Sequence, residues 1–173
     1  MRSKSVTLYC KKNHNLMSAI QISIIRRTYP SDISKNGWKR FILVDTLGLV
    51  IGCIVVAANI SEKAGAKLLL AKLKTQAPDV ELCSNIKKVW VDGGYRGEDL
   101  LKYVTDLWQW IWEITLRSDD TKGFVVIPKR WVVERTFSWF GQSRRLSKDY
   151  EKTALSSECQ VYLSMTILML KRI

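Results

Sequence analysis

Lys39–Leu70 reads KRFILVDTLGLVIGCIVVAANISEKAGAKLLL, and its pattern decides the fold. Lys39–Asp45 (KRFILVD) is a predicted strand, and Thr46-Leu47-Gly48 supplies a turn. Leu49–Ala58 (LVIGCIVVAA) is a second apolar run rich in β-branched residues, so the two form a predicted hairpin. Ser61 is placed to cap a helix over Glu62–Lys74. Its spacing turns Ala64, Leu68 and Ala71 to the core, with Leu69 and Leu73 beside them. Pro78 follows as a stop signal.

Working outward, Ile86–Val91 (IKKVWV) reads as a short buried strand that ends at Asp92-Gly93-Gly94. A helix follows over Glu98–Leu107, and Trp110–Leu116 (WIWEITL) alternates like a strand. Phe124–Ile127 is a short apolar run before Pro128. A helix is predicted from Lys129 to Phe140, then a basic loop, Arg144–Lys148, and a last helix from Ser156 to Leu170. That last helix has a wide apolar face, suited to closing the core or to meeting another chain. Upstream, residues 1–36 mix apolar and basic residues irregularly, although Ile20–Ile25 could form a short strand, and Tyr29-Pro30-Ser31-Asp32 is a turn signal. Strands alternating with helices after a hairpin make a mixed α/β domain, its sheet partly antiparallel and covered by helices.

The chain has 173 residues and a formal net charge of +12. This length suits one domain with a core that needs no disulfide or metal staple. The charge is uneven: residues 1–40 hold nine Lys/Arg and one acid, whereas residues 41–128 hold ten bases and eleven acids. Residues 129–152 are basic again, with seven bases and three acids. Such asymmetry suggests a polyanionic partner. Cys10, Cys53, Cys83 and Cys159 include no C-x-x-C pair, and Cys53 sits in an apolar run as a small buried hydrophobe. A reducing cytoplasm is the simplest setting. No run approaches the ~18 apolar residues of a membrane span, so no membrane partner is expected. One histidine, His14, argues against multi-histidine zinc sites and Ser–His–Asp triads.

Three acids fall where chemistry gathers. Asp45 ends the Lys39–Asp45 strand, Asp92 ends the Ile86–Val91 strand, and Glu134 lies in the helix PKRWVVERTFSW. Ligands of α/β sheets collect outside the carboxyl ends of strands. Carboxylates there suit Mg²⁺, which binds one or two acids and keeps water. Two ions ~3.5–4 Å apart can serve phosphodiester chemistry, one activating a nucleophile and the other stabilising the leaving oxygen. Each acid also has a plainer reading. Asp-Gly-Gly is a common turn, Asp45 suits a hairpin end, and Glu134 could pair with Arg130 on a helix surface. Trp131, Val132, Val133, Phe137, Trp139 and Phe140 surround Glu134, so a mostly buried helix is expected, with Arg130, Glu134, Ser138 and Gly141 as its narrow polar stripe. The tryptophans are expected mainly in the core, and Tyr95 either packs on the sheet or contacts a ligand.

The stretches KRFILVDTLGLVIGCIVVAANISEKAGAKLLL, VWVDGGYRG and FVVIPKRWVVERTFSWFGQSRRLSKDYE, in that order, resemble the bacterial insertion-sequence transposases of the DDE class, in the branch with a short, uninterrupted catalytic domain. The likeness covers residues 37–173 and implies a ribonuclease-H-like α/β fold, a mixed sheet flanked by helices. It implies DNA as the partner (transposon ends and target), a possible homodimer, Mg²⁺ or Mn²⁺ as the cofactor, and a cytoplasmic, nucleoid-associated enzyme of strand cleavage and transfer. Asp92 matches the second catalytic Asp, Glu134 the catalytic Glu, and Arg130 the Arg of the Arg-x-x-x-Glu signature; Asp92 and Glu134 would be the metal ligands. The flanking Tyr and Lys of the fuller signature are Ile127 and Gly141 here. Arg144, Arg145 and Lys148 would substitute for that Lys in gripping phosphate, and Arg96, basic and near Asp92, is a further candidate phosphate contact.

The resemblance breaks at the N-terminus. Arg2-Ser3-Lys4-Ser5-Val6 echoes the first-acid motif with Arg in place of Asp, and residues 1–36 hold only Asp32. Asp45 lies one strand late and is a weak substitute. The expectation is therefore an irregular basic segment over 1–36 ahead of the catalytic domain over 37–173, with the first strand missing or degraded. The protein would be a partial transposase of impaired activity, or else an inactive DNA-binding relic.

Overall fold

A computed structural model describes residues 19–27, 37–76, 83, 85–115, 130–148 and 150–171. The Tyr29–Asp32 turn, the Pro78 stop and the Phe124–Ile127 run lie outside these residues. Five strands make one sheet in the order β3-β2-β1-β4-β5. They are β1 (Ala19–Arg27), β2 (Trp38–Val44), β3 (Val50–Ala57), β4 (Lys88–Asp92) and β5 (Ile111–Thr115). β2 runs antiparallel to both β1 and β3, whereas β4 runs parallel to β1 and β5. The mixed α/β sheet is thus the one expected from the hairpin followed by strand–helix–strand alternation.

One expectation needs correction. The first strand is not missing: β1 occupies the centre of the sheet and pairs with β2 on one side and β4 on the other. Its sequence, AIQISIIRR, alternates isoleucines with polar residues closely enough to pair on both edges. It contains no Asp or Glu.

Helices cover both faces. They are α1 (Glu62–Gln76), α2 (Glu98–Trp108), α3 (Arg130–Gln142), the short α4 (Arg144–Ser147) and α5 (Ala154–Leu170). The period-two alternation of β2 divides the core. Phe41 and Leu43 join Leu69, Leu70, Leu100 and Val104 under α1 and α2. Ile42 and Val44 join Val132, Val133, Phe140, Val161 and Met165 under α3 and α5.

The inward face of α1 is rotated from the predicted one. Gly65, Ala66, Leu69, Leu70 and Leu73 are buried, while Ala64 and Leu68 face solvent. The reason is Gly65. A Cβ there would collide with the Phe41 ring, so the glycine lets the helix seat directly on that ring. Ser61 caps α1 as predicted, its hydroxyl accepting from the Ala64 amide at 3.3 Å. The basic stretch after α3 is a turn of helix rather than a loop, pinned by buried Leu146.

α5 closes an otherwise open edge. β3 is an outer strand, and edge strands present unpaired backbone groups. The Tyr162 hydroxyl accepts from the Cys53 amide at 2.9 Å, and Glu158 Oε1 accepts from the Val55 amide at 2.9 Å. Glu158 Oε2 pairs with Lys72 of α1, whose Nζ also donates to the Cys53 carbonyl at 3.2 Å. Two helices from opposite faces therefore meet on one strand edge. Among the described residues, no helix is long and apolar enough to cross a membrane.

Candidate active site at the end of β4

Asp92 is the last residue of β4. Val89 and Val91 sink into the α1/α2 side of the core, so Trp90 and Asp92 belong to the other face. The Asp92 side chain is exposed, and its Oδ1 accepts from the Gly93 amide at 2.7 Å. That bond starts a single 3₁₀ turn, Gly93–Tyr95. The carboxylate of Glu62, at the start of α1, lies close over Gly94, where a Cβ would make it move aside. Tyr95 packs on the sheet and is only 2% exposed, with its ring edge-on to Trp112 at 6.4 Å. Burial, then the carboxylates of Glu62 and Asp92, raise its pKa. Tyr95 therefore anchors the turn and does not present itself to a ligand.

Glu134 rides on α3. The helix buries Val132, Val133, Thr136 and Phe140 and exposes Glu134, Ser138 and Gly141. Of the expected polar stripe, Glu134, Ser138 and Gly141 share this exposure, so Glu134 is exposed, not buried. The reason is the seating of α3, which packs against β1 and bonds the β2–β3 turn through Arg135 and Thr136, leaving Glu134 outside. Trp131 also departs from the core expectation, being 47% exposed. Arg130 opens α3, and its expected contact with Glu134 concerns a side chain outside the described residues.

Sheet register relates the two acids. Gln21 pairs with both Val44 and Trp90, so these three residues share one face. That face is the one on which α3 lies, because Val44 clusters with Val132 and Val133. α3 also packs against β1, the strand next to β4. Asp92 and Glu134 thus belong to the same side of the sheet. One step beyond the Ile22–Val91 pair, the β1 position level with Asp92 is Ser23.

Asp45 does the work of a turn. Its Oδ1 accepts from the amides of Leu47 at 2.9 Å and Leu49 at 2.8 Å. Burial raises its pKa, against the lowering effect of those amides and of Arg135.

Asp92 and Glu134 offer hard carboxylate oxygens, the donor type that fits Mg²⁺ or Mn²⁺. Among the described residues no three His, Cys, Asp or Glu converge as a metal-ligand group. A bound ion would take its remaining ligands from water or substrate oxygens. Of the basic residues, Arg96 is exposed directly after the Gly93–Tyr95 turn. Arg144, Arg145 and Lys148 are exposed around α4, with Arg145 paired to Glu151 at 3.2 Å.

Two residues of this region escape a reading from sequence alone. Glu62 reads as an ordinary first-turn helix acid, and nothing in the sequence ties it to Gly94. Arg135 is marked by Trp131 and Trp139, four residues to either side, a spacing that stacks side chains on one helix face.

The chain is a mixed α/β sheet with an exposed carboxylate at the end of β4 and a second on a helix that covers the same face. The family model described as Transposase DDE domain matches residues 11–170. The chain belongs to the DDE transposase family. The match begins ahead of β1 and so includes that strand. A search of curated proteins found no match.

Proposed function

We propose that this domain is the catalytic core of an insertion-sequence transposase, with a ribonuclease-H-like fold, and that Asp92 and Glu134 are its metal-holding acids. The observation that carries the reading is the sharing of one sheet face by the β4 terminus and the Glu134 helix, in a chain of the DDE family. A bound Mg²⁺ or Mn²⁺ would supply activation of the attacking oxygen and stabilisation of the leaving one. The chain's own residues do the rest. The Gly93 amide orients the Asp92 carboxylate, and the seating of α3 presents Glu134 outward. Arg96, Arg144, Arg145 and Lys148 hold the phosphate backbone without reading bases. Leu155, Leu163, Ile167 and Leu170, exposed on α5, support a homodimer. A DNA substrate favours a cytoplasmic, nucleoid-associated protein.

The composition of β1 favours a second reading beside the first. Ser23 stands level with Asp92 where an acid would complete the set, which supports a partial copy of impaired activity or a DNA-binding relic. One experiment separates them. The protein is incubated with Mn²⁺ and duplexes covering the DNA that flanks its coding region. An active enzyme nicks or joins these duplexes and loses that activity in Asp92→Asn and Glu134→Gln. A relic binds them in a salt-sensitive way that survives both substitutions and cuts nothing. Failure to bind duplex DNA at low salt overturns both readings.

A further inference from the structure

The β2–β3 turn, Asp45–Leu49, does more than join two strands. Arg135 Nη2 donates to the Leu47 carbonyl at 2.7 Å, and Thr136 Oγ1 donates to the Gly48 carbonyl at 2.7 Å. Thr136 is completely buried. Gly48 has φ +80°, and a Cβ there would stand 2.7 Å from Thr136 Oγ1 and 3.3 Å from the Trp139 ring. Only glycine satisfies both the backbone and the close approach of the helix. From inside the turn, Asp45 ties down the Leu47 and Leu49 amides, leaving the Leu47 and Gly48 carbonyls to be read by α3. The Arg135 guanidinium lies between two indoles, 4.5 Å from the Trp131 ring and 5.0 Å from the Trp139 ring.

We infer that the Asp45–Leu49 turn is the seat of the Glu134 helix and that Arg135 is a positioning residue for Glu134. Consecutive residues of α3 bond consecutive carbonyls of the turn, which fixes the helix both along and about its axis. Glu134, the residue before Arg135, is rotated about 100° from it and so is held toward solvent. The two indoles hold the planar guanidinium in place against the turn, a role a lysine cannot fill. The inference rests on the reading of Glu134 as a metal-holding acid.

The test measures Mn²⁺ binding to the full chain from the electron paramagnetic resonance of the free ion, so it needs no catalysis. Wild type is compared with Glu134→Gln, Arg135→Lys and Thr136→Val, and each protein's folded fraction is taken from circular dichroism in the same buffer. Arg135→Lys preserves the charge, and Thr136→Val preserves the shape. The expected result is that Glu134→Gln weakens binding and that Arg135→Lys raises the Mn²⁺ dissociation constant on the order of 10-fold, as loss of an orienting partner does. Thr136→Val moves it the same way. Weakening by Glu134→Gln with no change in Arg135→Lys overturns the positioning role alone. Weakening no greater than the lost folded fraction overturns it as well. Wild-type binding that Glu134→Gln leaves unchanged overturns the functional reading of Glu134, and the inference with it.

Discussion

Asp45 illustrates how one carboxylate can look catalytic and be structural. It ends a strand, as a catalytic acid of an α/β sheet would, yet its oxygen is committed to two amides of its own turn. Burial raises its pKa, so the folded state holds the proton more tightly than the unfolded chain does. Stability contributed by protonated Asp45 is therefore present at acid pH and lost as pH rises from the ordinary value of 3.8 through the raised one. Asp45→Asn keeps an acceptor oxygen and removes the charge. Relative to wild type, its urea midpoint should compare better at pH 7 than at about pH 4. A variant that compares equally well at both values contradicts a buried, ionised Asp45. The hairpin role of this residue was legible in VDTLG. Its service to α3 was not, because Arg135 and Thr136 lie some ninety residues away and only tertiary packing brings them to Leu47 and Gly48.

Among the elements, β3 shows how helices finish a sheet. Its outward amides at Cys53 and Val55 meet Tyr162 and Glu158, not solvent or another chain. Tyr162→Phe removes the acceptor of the Cys53 amide and should lower stability by about 1–3 kcal/mol in urea unfolding. Unchanged stability would mean that water serves that edge as well as the tyrosine does. The hairpin, α1, α2, α3 and α5 were all legible from apolar spacing, capping residues and turn chemistry. The inward face of α1 was not, since the choice of Leu70 over Leu68 depends on the Phe41 ring fitting against Gly65. Nor was the full length or central place of β1. Ile20–Ile25 offered a strand, but only the pairing to β2 and β4 makes it nine residues long.

For the whole molecule, the net charge of +12 resolves into parts with different surroundings. The basic residues around α4 follow directly on the helix that carries Glu134, and Arg96 follows the Gly93–Tyr95 turn that Asp92 starts. Family membership was legible in three ordered stretches of sequence, and the matched region spans residues 11–170. The relation between the two acids was not legible. It follows from strand order, which sets β1 between β2 and β4 and brings the Glu134 helix over the neighbour of the Asp92 strand. The most direct test of the central claim is anomalous diffraction from crystals of the protein soaked in Mn²⁺. The account predicts a peak bound by the carboxylates of Asp92 and Glu134, absent from crystals of Asp92→Asn. A peak ligated by other residues, or none at this end of β4, would contradict it.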